Sequence, residues 1–293
     1  MVQLSYSITL LLGLVVSSCN AFTTLSFARH RTRLTKAASV SALPPAAPAD
    51  VLILEDAETV AAAVYTKVDT AAQKAISEKG HFALAIPGGS ILKMLENTKP
   101  DWSSKTSIAY VNHKCVDMAD EKLATHAKAK KLFLDGWSGV NVITLTGSEN
   151  SATEAETYET AMKACAQIPT TEDGLPCFDM ILIGVGDDGH VGSLYPNRDE
   201  VTKTGSWVLP VDMKQPGSIT LSLPVMTAAK EVVIAACGVS DKYPQGKSAG
   251  MARAIEGEET TVSFPAAGLR HVATWIIDKA AGSKLSEAFH AKA

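Results

Sequence analysis

Short apolar runs alternate with helical patterns along most of this chain, and this alternation limits the possible folds more than any other feature. The predicted strands are residues 51–55, 82–86, 108–116, 142–145, 178–185, 219–223, 232–237 and 272–278. The predicted helices are residues 57–78, 91–95, 121–134 and 152–166. In the first helix Val60, Val64 and Val68 recur at helical spacing. Such alternation predicts an α/β fold, with a mainly parallel sheet and helices on both faces.

Residues 1–49 differ in charge from the rest of the chain. They contain no Asp or Glu but carry four basic residues, which leaves 23 of the 27 basic residues for residues 50–293. Against all 31 acidic residues, that gives residues 50–293 a net charge of −8. Nucleic-acid affinity depends on Lys and Arg meeting phosphates, so this balance argues against a nucleic-acid-binding protein.

The acid-free segment divides into two parts. Residues 7–16 are apolar but too short to span a bilayer, and they are typical of the core of a signal peptide. Residues 23–42 are rich in Arg, Ser, Thr and Ala, as transit peptides are. We predict a signal peptide at residues 1–22 and a transit peptide with a linker at residues 23–49. This bipartite presequence predicts delivery to a plastid; secretion is the alternative.

Residues 50–293 suit one α/β domain, or at most two small ones. No segment in this part reaches the length of a membrane span, so the mature protein is not expected to enter a membrane. Its four cysteines are widely spaced, without a Cys-x-x-Cys pair. We therefore predict buried thiols rather than a zinc site or a disulfide framework.

The most informative segment follows the most apolar predicted strand. Residues 184–196 contain four glycines, two aspartates, a histidine and a serine. His190 is the natural general base there, because imidazole titrates near neutral pH. Either Asp188 or Asp187 could orient it and stabilise its charged form. The glycine spacing also matches a dinucleotide fingerprint, but Pro196 follows too soon for the long helix which that fingerprint opens.

Two further loops follow predicted strands, where ligands of parallel sheets bind. Gly88, Gly89 and Ser90 come after the second strand. Their backbone N–H groups could hold a phosphate or sugar oxygen, with Ser90 at a helix N-cap; a tight turn is the alternative. In residues 238–253, basic side chains could lie over a phosphate, or form only a solvated basic loop. These side chains are Lys242, Lys247 and Arg253.

Residues 178–196 resemble the signature of the 6-phosphogluconolactonase family, in which a Gly-x-Asp-Gly-His loop is followed by Ser-Leu-Phe-Pro. Weaker similarities lie in the Gly-Gly-Ser segment, residues 219–229, Gly238 with Lys247, and residues 274–281. The resemblance implies a single Rossmann-like domain in residues 50–293. It also implies hydrolysis of 6-phosphoglucono-1,5-lactone in the oxidative pentose phosphate pathway, without a metal or cofactor. The implied partner is therefore a small phosphosugar lactone.

The resemblance also implies roles for particular residues. His190 would activate the attacking water or pass a proton to the departing ring oxygen, with Asp188 as its partner. The substrate and its phosphate would be held by Gly88, Gly89, Ser90, Lys114, Ser193 and Lys247. No residues are implied to bind a metal.

The chain departs from the family pattern at one loop. The family's Asp-Glu-Arg segment is replaced by Asn112, His113 and Lys114, and its later Ser-Asn pair by Ala124 and Thr125. Two alternatives to a lactonase stay open, and this departure motivates the second of them. One is a glucosamine-6-phosphate deaminase/isomerase, although that enzyme typically has Phe-Asn-Glu after the shared Asp-Gly-His. The other is a catalytically weakened homologue that binds a phosphosugar.

Overall fold

The computed structural model describes residues 50–239 and 246–290. The predicted signal and transit peptides and Lys242 lie outside these residues. Within the described ranges, no helix is long and apolar enough to cross a membrane.

In this part of the chain ten strands form two sheets. The strands are β1 (Asp50–Leu54), β2 (Phe82–Ile86), β3 (Thr106–Tyr110), β4 (Asn112–Lys114), β5 (Asn141–Val142), β6 (Met180–Ile183), β7 (Val208–Val211), β8 (Ser218–Leu221), β9 (Glu231–Ala236) and β10 (Ala273–Asp278). The larger sheet has seven strands in the order β1-β10-β9-β6-β2-β3-β5, and every neighbouring pair is parallel. The predicted mainly parallel α/β fold is confirmed.

Among the described residues, five α-helices lie between strands along the chain and the last two follow β10. They are α1 (Ala57–Lys79), α2 (Thr125–Leu132), α3 (Ser151–Ala164), α4 (Leu223–Thr227), α5 (Ser248–Glu256), α6 (Lys279–Gly282) and α7 (Glu287–His290). A capping box between Asp56 and Thr59 begins α1, and Gly80 ends it in the left-handed conformation at φ 81°. Every residue of β2, β3 and β6 is buried, so the centre of the sheet is covered on both faces.

The strand order reverses between β2 and β6. From β2 the chain moves outward through β3 to β5, and then returns to place β6 on the other side of β2. Loops that follow the two strands at such a reversal form a crevice at the carboxyl edge of the sheet. The loop after β2 (residues 87–90, the glycine loop) and the loop after β6 (residues 184–196, the histidine loop) therefore begin at the same edge of the sheet.

The smaller sheet is antiparallel, in the order β4-β8-β7, and differs from the sequence prediction. Residues 108–116 were expected to be one strand, but β3 ends at Tyr110, and after Val111 the chain enters a different sheet as β4. The Val111 N–H donates to the Ile86 carbonyl at 2.8 Å, and its carbonyl accepts from Leu221 N–H at 2.7 Å. Val111 thus joins the two sheets. β7 was not predicted, because Pro210 within it argues against a strand.

Four other segments differ from the prediction. The helix expected at residues 91–95 is a 3-10 helix, Ser90–Leu95, and the one expected at residues 121–134 is reduced to α2 and a following 3-10 turn. The strand expected at residues 142–145 is only the two residues of β5. The second half of the predicted basic loop, residues 238–253, is helical and forms most of α5.

Candidate active site at the strand-order reversal

His190 and Asp188 form a close pair in the loop after β6. The Asp188 Oδ1 atom lies 2.5 Å from His190 Nδ1 and also accepts the His190 backbone N–H at 3.1 Å. The Asp188 carboxylate places the imidazole proton on Nδ1, and an imidazole in that tautomer can accept a proton at Nε2. Of the two aspartates that the sequence offered, the structure pairs Asp188 with His190.

The electrostatics of Asp188 favour its charged form. Partial burial raises the pKa of the Asp188 carboxyl, but hydrogen bonds and charge attraction from His190 outweigh burial and bring the pKa below its usual value. The carboxylate is therefore ionised near neutral pH. An ionised partner stabilises the imidazolium that forms whenever His190 takes up a proton.

Two glycines shape this loop. A Cβ atom on Gly186 would lie 2.1 Å from His190 Nδ1 and 2.7 Å from Asp188 Oδ1, so the pair packs directly over its backbone. Gly189 has a φ of 87°, and a Cβ atom there would lie 2.4 Å from the Phe264 ring. The glycines therefore let the loop fold tightly enough to bring the two side chains together.

Asn112 links the histidine loop to the glycine loop. Its Oδ1 accepts the Gly88 N–H at 3.2 Å, and its Nδ2 donates to Ser193 Oγ at 3.3 Å. Ser193 is buried, and its own N–H donates to Thr220 Oγ1 at 3.1 Å. The antiparallel sheet thus fixes both loops, because Asn112 lies on β4 and Thr220 on β8.

The predicted phosphate-binding residues have different surroundings. Gly89 and Ser90 are exposed at the end of β2; Gly89, not Ser90, is the N-cap, and no side chain caps this 3-10 helix. The N-cap prediction for Ser90 is therefore wrong. Lys114 is half-buried, and alternation along β4 places it on the same face as Asn112.

Lys247 lies against the base of the histidine loop. The side chain is buried, and its Nζ donates to the Val185 carbonyl at 2.9 Å. Lys247 also precedes α5, whose first-turn N–H groups favour an anion, and Gly250 in that turn packs against the Asp187 backbone. A lysine and a helix N-terminus therefore both lie against the loop that carries His190.

Arg253 is engaged elsewhere. Its Nη2 lies 2.7 Å from Glu259 Oε1, and its guanidinium stacks 4.4 Å from the centre of the Phe264 ring. The ion pair with Glu259 neutralises the positive charge of Arg253, which was predicted to lie over a phosphate.

Tyr195 and Lys214 were not predicted from the sequence to lie near the histidine. The rings of His190 and Tyr195 have centroids 4.9 Å apart, and Lys214 Nζ lies 4.4 Å from the Tyr195 centroid. Tyr195 is within the histidine loop and could have been singled out by its position. Lys214 belongs to the turn between β7 and β8, and no sequence signal relates that turn to residue 190.

The site is recognised by its chemistry rather than by cavity size. A cavity of about 560 Å³ lies beside α2, with His126 and Lys130 in its lining, and does not include the histidine loop. The loop itself holds the histidine–carboxylate pair, and a lysine, a helix N-terminus and, through Asn112, the glycine loop contact its other residues. Together with the parallel sheet, these features define an α/β protein that carries a histidine–carboxylate pair and nearby cationic groups at the carboxyl edge of its sheet.

The comparison with known families identifies the group to which this chain belongs. The sequence profile described as "Glucosamine-6-phosphate isomerases/6-phosphogluconolactonase" matches residues 55–277. This match covers well over half of the chain. The chain is therefore a member of the glucosamine-6-phosphate isomerase/6-phosphogluconolactonase family.

Individual relatives agree with this assignment, and a solved structure shares the fold. The rat 6-phosphogluconolactonase is 29% identical over 241 residues, which are 74% of this chain and 88% of the relative. The Arabidopsis thaliana protein "6-phosphogluconolactonase 3, chloroplastic" is 28% identical, over 72% of this chain and 68% of the relative. The 6-phosphogluconolactonase structure from Leishmania guyanensis aligns with a TM-score of 0.68 and 22% identity, covering 82% of this chain and all of that one.

Proposed function

We propose that this protein hydrolyses 6-phosphoglucono-1,5-lactone to 6-phosphogluconate. The observation that carries the proposal is the His190–Asp188 pair, held at 2.5 Å in a loop that continues as Ser-Leu-Tyr-Pro. The rat and Arabidopsis relatives above carry the name 6-phosphogluconolactonase and support the same reaction.

The geometry supports general base catalysis by His190. Nε2 takes a proton from water as the water oxygen attacks C1 of the lactone, while Asp188 stabilises the resulting imidazolium. The tetrahedral intermediate then breaks the bond between C1 and the ring oxygen. The imidazolium returns the proton to that oxygen, which becomes a hydroxyl group, and C1 becomes the carboxyl group of the open-chain product.

The remaining predicted site residues would bind and orient the substrate. Lys247 and the start of α5 provide positive charge for the phosphate, and Lys114 adds an ammonium from the antiparallel sheet. The backbone N–H of Gly89 lies at the end of β2, where it can stabilise negative charge that develops on the carbonyl oxygen. The Gly88 N–H is donated to Asn112 Oδ1, so Gly88 contributes by holding the loop in place. Anchoring the phosphate keeps the lactone carbonyl against the base.

Asn112 favours lactone hydrolysis over the deaminase alternative. A deaminase of this family is expected to use an aspartate from this loop as a base, whereas an amide cannot take up a proton at neutral pH. Both polar atoms of Asn112 are also occupied by Gly88 and Ser193. The residue therefore has a positioning role here.

One assay separates the three candidate functions. The purified protein receives freshly generated 6-phosphogluconolactone, and acid release is compared with the spontaneous rate in buffer. Release above the blank supports the lactonase, and ammonia release from glucosamine 6-phosphate would instead identify a deaminase. If neither rate exceeds its blank while 6-phosphogluconate still binds, the protein is a weakened phosphosugar-binding homologue.

We further propose that residues 1–49 direct residues 50–293 to a plastid. The acid-free composition of this segment supports the proposal, as does the existence of a relative named chloroplastic. Residues 1–49 fused to a fluorescent protein should accumulate in plastids of an alga with secondary plastids, and residues 1–22 alone should give secretion. Secretion of both fusions would contradict the transit peptide.

A further inference from the structure

We propose that Lys214, on the turn between β7 and β8, is a substrate-binding residue that holds the phosphate of the lactone. This inference rests on the proposed function and adds a residue outside the segments that resemble the family. Lys214 is exposed, and its Nζ lies 4.4 Å from the centre of the Tyr195 ring. Tyr195 in turn contacts His190, with ring centroids 4.9 Å apart. Two ring contacts thus place this ammonium at the edge of the catalytic loop.

The antiparallel sheet explains why the turn lies there. Lys114 on β4 is opposite Ser218 on β8, and Ser218 is opposite Val211 on β7. The next residue after β4, Cys115, donates its N–H to the Gly217 carbonyl at 2.8 Å. Lys114 and the turn that bears Lys214 therefore lie at the same end of the small sheet.

The charges near the site favour a role for this lysine. The exposed aspartates 187 and 188 of the histidine loop repel a phosphate dianion, so substrate binding needs compensating cations. Arg253, the other basic side chain near the start of α5, is paired with Glu259. The ion pairs formed within residues 50–239 and 246–290 do not include Lys114 or Lys214.

Lys214 would also compensate for the lysine that replaces the family's arginine at position 114. Lys114 stands where the resemblance expects an arginine, and an ammonium is a point charge without the two-pronged geometry of a guanidinium. A second lysine at the same end of the sheet restores positive charge for a dianion. Stacking on Tyr195 would hold the flexible Lys214 side chain near its ligand.

The experiment compares Lys214→Met with a matched control, Lys163→Met. Lys163 makes the same kind of contact, with its Nζ 5.2 Å from the centre of the Trp207 ring. We expect Lys214→Met to raise KM for 6-phosphogluconolactone about tenfold with kcat within twofold of wild type. KM for unphosphorylated glucono-1,5-lactone should not change, Lys214→Arg should restore most of the affinity, and Lys163→Met should leave both constants unchanged.

Several results would overturn the inference. An unchanged KM for the phosphorylated lactone would contradict it, while wild-type turnover would leave the proposed function intact. An equal fall in kcat for both lactones would mean that Lys214 acts at the reacting carbon, not at the phosphate. If the wild type shows no turnover, the proposed function fails, and the role of Lys214 is tested separately by calorimetry with 6-phosphogluconate. An equal Kd for wild type and Lys214→Met, or no binding by either protein, overturns the inference.

Discussion

Gly186 leaves the space in which the imidazole of His190 lies. A methyl group at this position would occupy the same volume as His190 Nδ1, whereas a Cβ atom on Gly184 meets nothing within 4 Å. We expect Gly186→Ala to lower kcat by about 100-fold or more, because displacing a catalytic group by an ångström has effects of this size. Gly184→Ala should keep wild-type kinetics. Equal activity of the two variants would contradict this geometry.

The neighbouring aspartates give a second matched comparison at the residue scale. Asp188 accepts a hydrogen bond from His190 Nδ1, while Asp187 is exposed and lies next to Asp188 in the sequence. Asp188→Asn should reduce kcat by about 10²–10⁴-fold, because an amide neither favours the required tautomer nor stabilises the imidazolium. Asp187→Asn should have a small effect. The reverse order of the two variants would assign the partner of His190 to Asp187.

At the scale of elements, Thr220 connects β8 to the histidine loop. Its buried hydroxyl accepts the Ser193 N–H, so Thr220→Val leaves that donor without its partner. The expected cost is about 1–3 kcal/mol in the free energy of unfolding, with a fall in kcat/KM as Ser193 shifts. Thr220→Ser keeps the hydroxyl and should retain most activity. Denaturant titrations and steady-state kinetics on both variants would measure the unfolding free energy and kcat/KM. Equal values for Thr220→Val and Thr220→Ser would contradict a role for the hydroxyl.

His113 makes the contact between β4 and α2 sensitive to pH. Its Nδ1 donates to the Lys114 carbonyl at 2.7 Å, and its Nε2 accepts the His126 N–H at 3.1 Å. Burial lowers the pKa of His113 below its ordinary value of 6.5, so below pH 6.5 the unfolded chain binds more protons than the folded one. Stability therefore falls as the pH drops through that value.

The corresponding variant is His113→Gln, with the exposed His271→Gln as its control. Between pH 7.5 and 5.5 the wild type should lose more unfolding free energy than His113→Gln, with each pH unit in the window contributing at most about 1.4 kcal/mol. His271→Gln should follow the wild type. The measurement is a denaturant titration at each pH. Parallel curves for all three proteins would show that His113 stays neutral in both states or titrates equally.

The elements also show how far the sequence could predict this structure. Buried parallel strands are local apolar runs, so β2 and β6 were predicted, together with the loops that follow them. The antiparallel sheet was not, because β4 and β8 pair across about 100 intervening residues and β7 contains a proline. Asn112 and Lys214 depend on that sheet, and their places in the site could be found only from the three-dimensional structure.

At the scale of the whole molecule, the distribution of charge determines where an anionic substrate can bind. Residues 50–293 have a net charge of −8, yet Lys247 and the start of α5 lie beside the catalytic loop, with Lys114 on the adjoining sheet. A protein with this net charge repels anions in general and can bind a phosphosugar only where cations are concentrated. The fold achieves this by bringing a helix start and the antiparallel sheet to the same edge of the parallel sheet.

The most direct test of this account is the rate of acid release from 6-phosphogluconolactone by the wild type and by His190→Ala, each corrected for spontaneous hydrolysis. The account predicts clear catalysis by the wild type and a loss of at least about 100-fold in kcat for His190→Ala, with an unchanged melting temperature. Wild-type release equal to the buffer rate would contradict the lactonase function. Undiminished activity of His190→Ala would contradict the assignment of the base.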